Sequence, residues 1–216
     1  MDKLSSQCYD DGMATRKYEQ RLRAESAEET RRRILDALYE RLHSAPAKPV
    51  SVDQLAHDAH VSRSTIYLIF GSRAGLFDAL AADLFHRGGF DRVVQAVADP
   101  DARNHLRGGI TAATKTLAAH RDVLRVFYSM AELDADAVGG TVQRMEANRA
   151  EGMAYLARRL AEHELLRADV TVEEAAHVLW LLTSFDSFDL LYTGRGLTDD
   201  EVADVLVTTA ERSLCR

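Results

Sequence analysis

Apolar residues recur three and four positions apart along nearly the whole chain, the spacing that lines one face of an α-helix, and no stretch sustains the alternation of a half-buried strand. The pattern predicts an all-α protein. Ile34, Leu35, Leu38 and Leu42 form a first stripe, closed by Pro46 and Pro49; Leu55 and Ala59 form a second, Ile66 and Ile69 a third. Leu76, Phe77, Leu80 and Leu84 form a fourth, broken at Gly88-Gly89. Starts are marked where Ser or Thr stands three residues before Glu or Gln, a pair that can satisfy each other's orphan backbone donors: Ser26–Glu29, Ser51–Gln54, Thr171–Glu174 and Thr198–Glu201. Five longer helices are expected near Asp101–Ala119, Arg121–Leu133, Val142–His163, Val172–Tyr192 and Asp199–Leu214, about nine helices in all. This divides the chain into a flexible arm (1–25), a three-helix head (26–75) and a helical body (76–216).

Within the head, "QLAHDAHVSRSTIYLIF" has the internal arithmetic of a helix-turn-helix. Leu55 and Ala59 face inward on one short helix, Ala56 is small where the helices cross, Val61 plugs the turn, and Ile66 and Ile69 face inward on the next. That packing leaves Ser62, Arg63, Ser64 and Thr65 outward, at the helix end that meets base edges when such a helix enters a major groove. Arg63 can donate two parallel bonds to guanine, Thr65 offers a methyl or a hydroxyl, Ser62 and Ser64 can bond phosphate or base edges, and Tyr67 can reach a phosphate. Ser51 and Ser72 stand at expected helix starts, where free N–H groups favour anions, and Arg73 adds a formal charge.

The charge balance qualifies this picture. The net charge of −7 argues against a polyanion partner for the chain taken whole, yet residues 1–77 carry 12 Lys/Arg against 11 Asp/Glu and residues 78–216 carry 15 against 23. Contact with DNA therefore belongs to the head; Arg16, Lys17, Arg21 and Arg23 of the arm could follow an adjacent minor groove or simply be solvated. Cys8 and Cys215 lie near opposite ends and no Cys/His spacing suits zinc, so no disulfide framework, metal or cofactor is expected. The N-terminal stretch lacks the apolar core of a secretion signal and the longest apolar run, "AAHVLWLLTSF", is too short for a span, so a cytoplasmic protein is expected.

The run "TIYLIFGSRAGLF" resembles the DNA-binding domain of the tetracycline-repressor (TetR) family of bacterial transcription regulators, through Thr65, Ile66, Tyr67, Phe70, Ser72, Arg73, Leu76 and Phe77. The resemblance covers about residues 26–77, with a weaker one in "LWLLTSFDSFDLLYTGRGLTDDEVADVL". It implies that Thr65 and Tyr67 touch DNA, that Arg73 holds a phosphate and that Ser62, Arg63 and Ser64 line the groove. Two positions depart from the family's usual run: His60 stands where Gly is frequent in the turn, and Ile69 where an aromatic or His is frequent. His tolerates a left-handed backbone better than most residues, so the turn survives; the second departure removes one family-type polar contact.

In the body, "EEAAHVLWLLTSF" is apolar on nearly all faces and calls for cover on more than one side. A twofold homodimer built on Leu179, Trp180, Leu182 and Phe185 with Val202, Val205 and Leu206 is the economical solution, in line with the resemblance. The resemblance also implies an effector pocket in the middle of the body, for which Phe127, Tyr128, Met130, Met145, Met153 and Tyr155 are the candidates. The expected protein is a repressor that binds a palindromic operator as a homodimer and is released by a small molecule. A helical adaptor without DNA affinity is the alternative, supported by the acidic balance and Ile69. An enzyme is not expected: His57/His60, His163-Glu164 and Asp186/Asp189 lack a third group at recognisable spacing, and no Gly-rich phosphate loop occurs.

Overall fold

The structure, a computed structural model, describes residues 4–46, 48–134, 138 and 140–216, with side chains from residue 21 onward. Eleven α-helices account for nearly all of the described chain: α1 (Leu4–Ser44), α2 (Val52–Asp58), α3 (Arg63–Phe70), α4 (Arg73–Arg87), α5 (Phe90–Ala98), α6 (Ala102–Ala119), α7 (Arg121–Leu133), α8 (Gly140–Glu162), α9 (Val172–Leu182), α10 (Phe185–Arg195) and α11 (Asp199–Leu214). They form two compact units, Met1–Ser72 and Arg73–Arg216.

In the first unit, the stripe of α1 is buried as its spacing requires, with Ile34, Leu35, Leu38 and Leu42 all at 2% exposure or less. The helix does not start at the Ser26 box. It begins at Leu4 and runs unbroken through the residues expected as an arm. Ser26 accepts a bond from the Thr30 hydroxyl at its carbonyl, 2.8 Å, as an interior helical residue does. Residues 21–29 are exposed, and Arg21 pairs with Glu25 one turn on at 3.1 Å. Good helix formers and such i,i+4 pairs carry a helix without an apolar stripe, which is why periodicity missed it. The side chains of Arg16 and Lys17 lie outside the described residues.

Between α2 and α3 the chain turns through a Schellman motif. Val61 N–H donates to Ala56 C=O at 2.9 Å, His60 N–H to His57 C=O at 3.1 Å, and His60 takes φ +54°. His60 thus holds the left-handed position at which glycine is more usual. Below it Leu55, Ala56, Ala59 and Ile66 are buried, while Val61 and Ile69 are only half-buried.

In the second unit, α6 packs against α5, α8, α10 and α11. Helix α4 buries Leu76, Phe77, Leu80 and Leu84, and Phe77 meets Phe127 of α7 edge-on at 5.8 Å. Gly88 ends α4 close against α6: a Cβ there would lie 2.4 Å from Thr116 Cγ2, and Thr116 Oγ1 donates to the Gly88 carbonyl at 3.0 Å. Two expectations fail in this unit. Helix α5 follows the glycine break where no helix was assigned, its Phe90, Val94 and Val97 at 40–50% exposure. The single helix expected over Val172–Tyr192 is two, because Ser184 caps α10 by accepting from Ser187 N–H at 3.1 Å, and the apolar spacing runs on across the break. The boxes at Thr171 and Thr198 are complete, each with its Glu returning to the threonine N–H at 2.8 Å. Among the described residues no helix is long and apolar enough to cross a membrane.

Candidate nucleic-acid interface

Helix α3 has eight residues, and Ser62 organises its start. The Ser62 hydroxyl accepts from Thr65 N–H at 3.1 Å and shares hydrogen bonds with the hydroxyls of Ser64 at 2.7 Å and Thr65 at 2.8 Å. This hydroxyl cluster fixes the first turn and leaves the remaining lone pairs and protons toward solvent. Arg63 lies over the Tyr67 ring, 5.7 Å from its centroid, and reaches Asp53 at the start of α2 at 3.4 Å. Tyr67, ahead of Asp53, pushes the already high Arg63 pKa further up. The guanidinium is therefore charged, held in place and exposed, the state a bidentate contact to guanine requires. Ser51 caps α2, accepting from Gln54 N–H at 3.5 Å; the Gln54 amide turns to Asp58 at 2.7 Å instead of closing the box.

Of the expected DNA contacts, Ser51, Ser62, Arg63, Ser64 and Tyr67 stand exposed in the first unit and Thr65 is half-buried. Ser72 is the last residue of that unit and is exposed. Arg73 opens α4 in the second unit, where its guanidinium is already engaged: it pairs with Asp134 at 2.7 Å, both side chains about a third exposed, and lies over the Phe77 ring at 5.8 Å. Two residues outside the expected set share the outward side of the α2–α3 pair. Asp53 is the partner of Arg63, signalled only by being an acid in the first turn of α2. Leu68 is 86% exposed, a position legible from the inward spacing of Ile66 and Ile69 on either side of it.

The candidate effector residues have varied surroundings. Phe127 is fully buried against Phe77; Tyr128 stacks on Phe185 at 5.1 Å and donates to Glu146 at 2.8 Å; Tyr155 sits beside His105 at 6.0 Å and is 44% exposed; Met130, Met145 and Met153 are half-buried. Burial and the Glu146 carboxylate hold the Tyr128 hydroxyl protonated, its pKa pushed far up. A crevice lies elsewhere, between α6 (Ile110, Thr114, Leu117), the α9–α10 break (Thr183) and Phe188 and Leu206. It leaves no room for even a water molecule, whereas ligand pockets run to several hundred Å³.

The residues of the expected dimer surface divide by exposure. Leu179, Phe185, Val202 and Leu206 are 4% exposed or less, consumed by the core of a single chain, whereas Trp180 (41%) and Val205 (42%) are exposed and Leu182 is half-buried. Leu181 and Leu190, at 59% and 70%, are exposed apolar residues that the apolar run did not single out. Asp189 accepts from Arg121 Nε at 2.6 Å, from Thr193 Oγ1 at 2.7 Å and from Arg125, so its oxygens are spent inside the body.

A capped short helix with a polar outward edge, set on a Schellman turn and backed by a longer helix, defines the class: a helix-turn-helix DNA-binding head, in a chain whose second unit is a helical body. Residues 34–80 match the family model of the bacterial regulatory proteins of the tetR family, so the head is similar to theirs. Among solved structures it is similar to a TetR-like transcriptional regulator from Rhodococcus sp. RHA1 (23% identity, TM-score 0.61, 85% of this chain and 94% of the other). It is also similar to NalD of Pseudomonas aeruginosa, the secondary repressor of the MexAB-OprM multidrug efflux pump (22%, 0.68, 88% and 98%). A third is the ketosteroid transcriptional regulator KstR2 of Mycobacterium tuberculosis (16%, 0.61, 86% and 95%). These likenesses show the fold over the 85–88% of the chain that they cover. No curated protein matches the chain at a significant level.

Proposed function

We propose that the protein is a cytoplasmic repressor that binds a palindromic operator as a homodimer and leaves it when a small molecule occupies the body. The observation that carries this reading is the division of α3: Ile66 buried beneath, Ser62, Arg63, Ser64 and Tyr67 outside. In a dimer the two α3 helices would address half-sites one turn apart, about 34–36 Å. Exposed Trp180, Leu181, Leu190 and Val205 support pairing through the last three helices, since apolar side chains so open to water gain by mutual cover. Release requires an effector that prefers a body conformation unfavourable to DNA. An effector that used the narrow crevice beside the α9–α10 break would have to widen it, so a site there would form as it binds.

The experiment is to select duplexes from a random-sequence pool with the purified protein and titrate the enriched sequence at several salt concentrations. A regulator yields an inverted repeat bound by two chains with affinity falling as salt rises. Equal binding to enriched and random duplexes, or none, refutes the reading.

A further inference from the structure

We propose that Leu68 reads the 5-methyl group of a thymine in the operator's major groove; this rests on the reading that α3 enters that groove. At about 100° per residue, Ser64 and Leu68 each stand within roughly 20° of the direction opposite buried Ile66, closer to it than Arg63 or Tyr67. Their side chains therefore point most directly at whatever α3 faces. Ser64 is exposed and Leu68 is 86% exposed, the most open of the large apolar side chains described in the first unit.

A leucine has no hydrogen bond to give. Along the major groove the bases offer acceptors, donors and a single apolar group, the thymine methyl. Leu68 placed over that methyl buries apolar surface on both partners; placed over guanine O6/N7 or cytosine N4 it strips water from a polar edge and returns nothing. The residue thus selects for thymine and against guanine and cytosine by the same contact. Its surroundings are wrong for a protein partner, because the exposed Ser64 hydroxyl shares its side of α3 and leaves no continuous apolar patch. Leu68 lies about 7.5 Å along the helix from Arg63, roughly two base steps of 3.4 Å, so one short element can read a guanine and a thymine nearby.

The test uses the enriched duplex from the random pool. Each thymine of a half-site is replaced in turn by deoxyuridine, which removes only the methyl, and each duplex is titrated with the parent and with Leu68→Ala. At one thymine per half-site the parent loses about fourfold in affinity, the factor expected for one methyl group, while Leu68→Ala, already weaker by about four- to tenfold, loses nothing further. Leu68→Ala melts at the parent temperature, since the side chain touches no core. If Leu68→Ala binds as tightly as the parent, or its loss multiplies with every deoxyuridine loss, the proposal is overturned while the helix-turn-helix reading stands, provided Arg63→Ala still weakens binding. If the pool yields no enriched sequence, both fall together.

Discussion

Asp189→Ala tests whether the paired acids of α10 serve the fold or a ligand. The Asp189 side chain is 7% exposed; its two oxygens tie α10 to Arg121 and Arg125 of α7, and it also accepts from Thr193 one turn further along α10. Truncation leaves Arg125 without its counter-charge and Arg121 with Asp122 alone, at 2.8 Å. For a fully buried pair that costs about 3–5 kcal/mol. Here Arg121 is 25% exposed and Arg125 44%, so both recover part of their hydration, and about 2–3 kcal/mol is the reasonable loss. For a chain of this length that corresponds to a melting temperature lower by about 5–10 °C. The chain's single tryptophan, Trp180, has Arg149 over its ring at 4.8 Å and reports the body directly, so fluorescence melts at fixed protein concentration give the reading. Asp189→Asn keeps one acceptor for Thr193 and should lose about half as much. If Asp189→Ala melts within about 2 °C of the parent, the carboxylate is not a structural anchor.

Arg63→Ala should weaken the enriched duplex by about one to two orders of magnitude and relax preference at one base pair, read by titrating single-base variants. Asp134→Asn releases Arg73 from its half-exposed pair; affinity for enriched and random duplexes alike should rise, by up to about fivefold and less at high salt, and no change would show that Arg73 does not reach phosphate. His105 accepts at Nδ1 from Arg159 at 3.1 Å, and burial first, then that guanidinium, holds its pKa below the usual 6.5. The unfolded chain therefore takes up its proton first, so this contribution is complete above pH 6.5 and lost as the pH falls through 6.5 toward the lowered value. Melting curves from pH 7.5 to 5 should show the decline, and His105→Gln should flatten it.

What was legible in the sequence was what short-range chemistry decides. The stripes of α1 and α4, the Ser62 cap, the boxes at Thr171 and Thr198 and the left-handed tolerance of His60 all act over a few residues, and each lands where its spacing put it. The extension of α1 was illegible because it rests on propensity and ion pairs without an apolar stripe. The α9–α10 break was hidden by apolar spacing that continues through it, with only Ser184 and Ser187 to mark the cap. Pairings across long stretches of chain, such as Arg73 with Asp134 or Arg121 with Asp189, leave no local trace, so the phosphate-ready Arg73 of the sequence is a committed side chain in the fold. The dimer set divides between buried and exposed side chains for a related reason: an all-round apolar helix says how much must be covered, not by which chain.

Charge explains why recognition should rest on so short a helix. A duplex presents one negative charge per roughly 1.7 Å, and a body with 15 Lys/Arg against 23 Asp/Glu is repelled by it. The head is near neutral, and several of its cations already have partners: Arg21 with Glu25, Arg63 with Asp53. Sequence-independent attraction is therefore weak, and affinity must come from contacts made only at the correct bases. An edge of hydroxyls, one oriented guanidinium and one leucine supplies such contacts, because each is worth little on a random sequence and each costs a desolvated, unpaired group on the wrong one. The acidity that first argued against DNA instead lowers the background against which α3 discriminates.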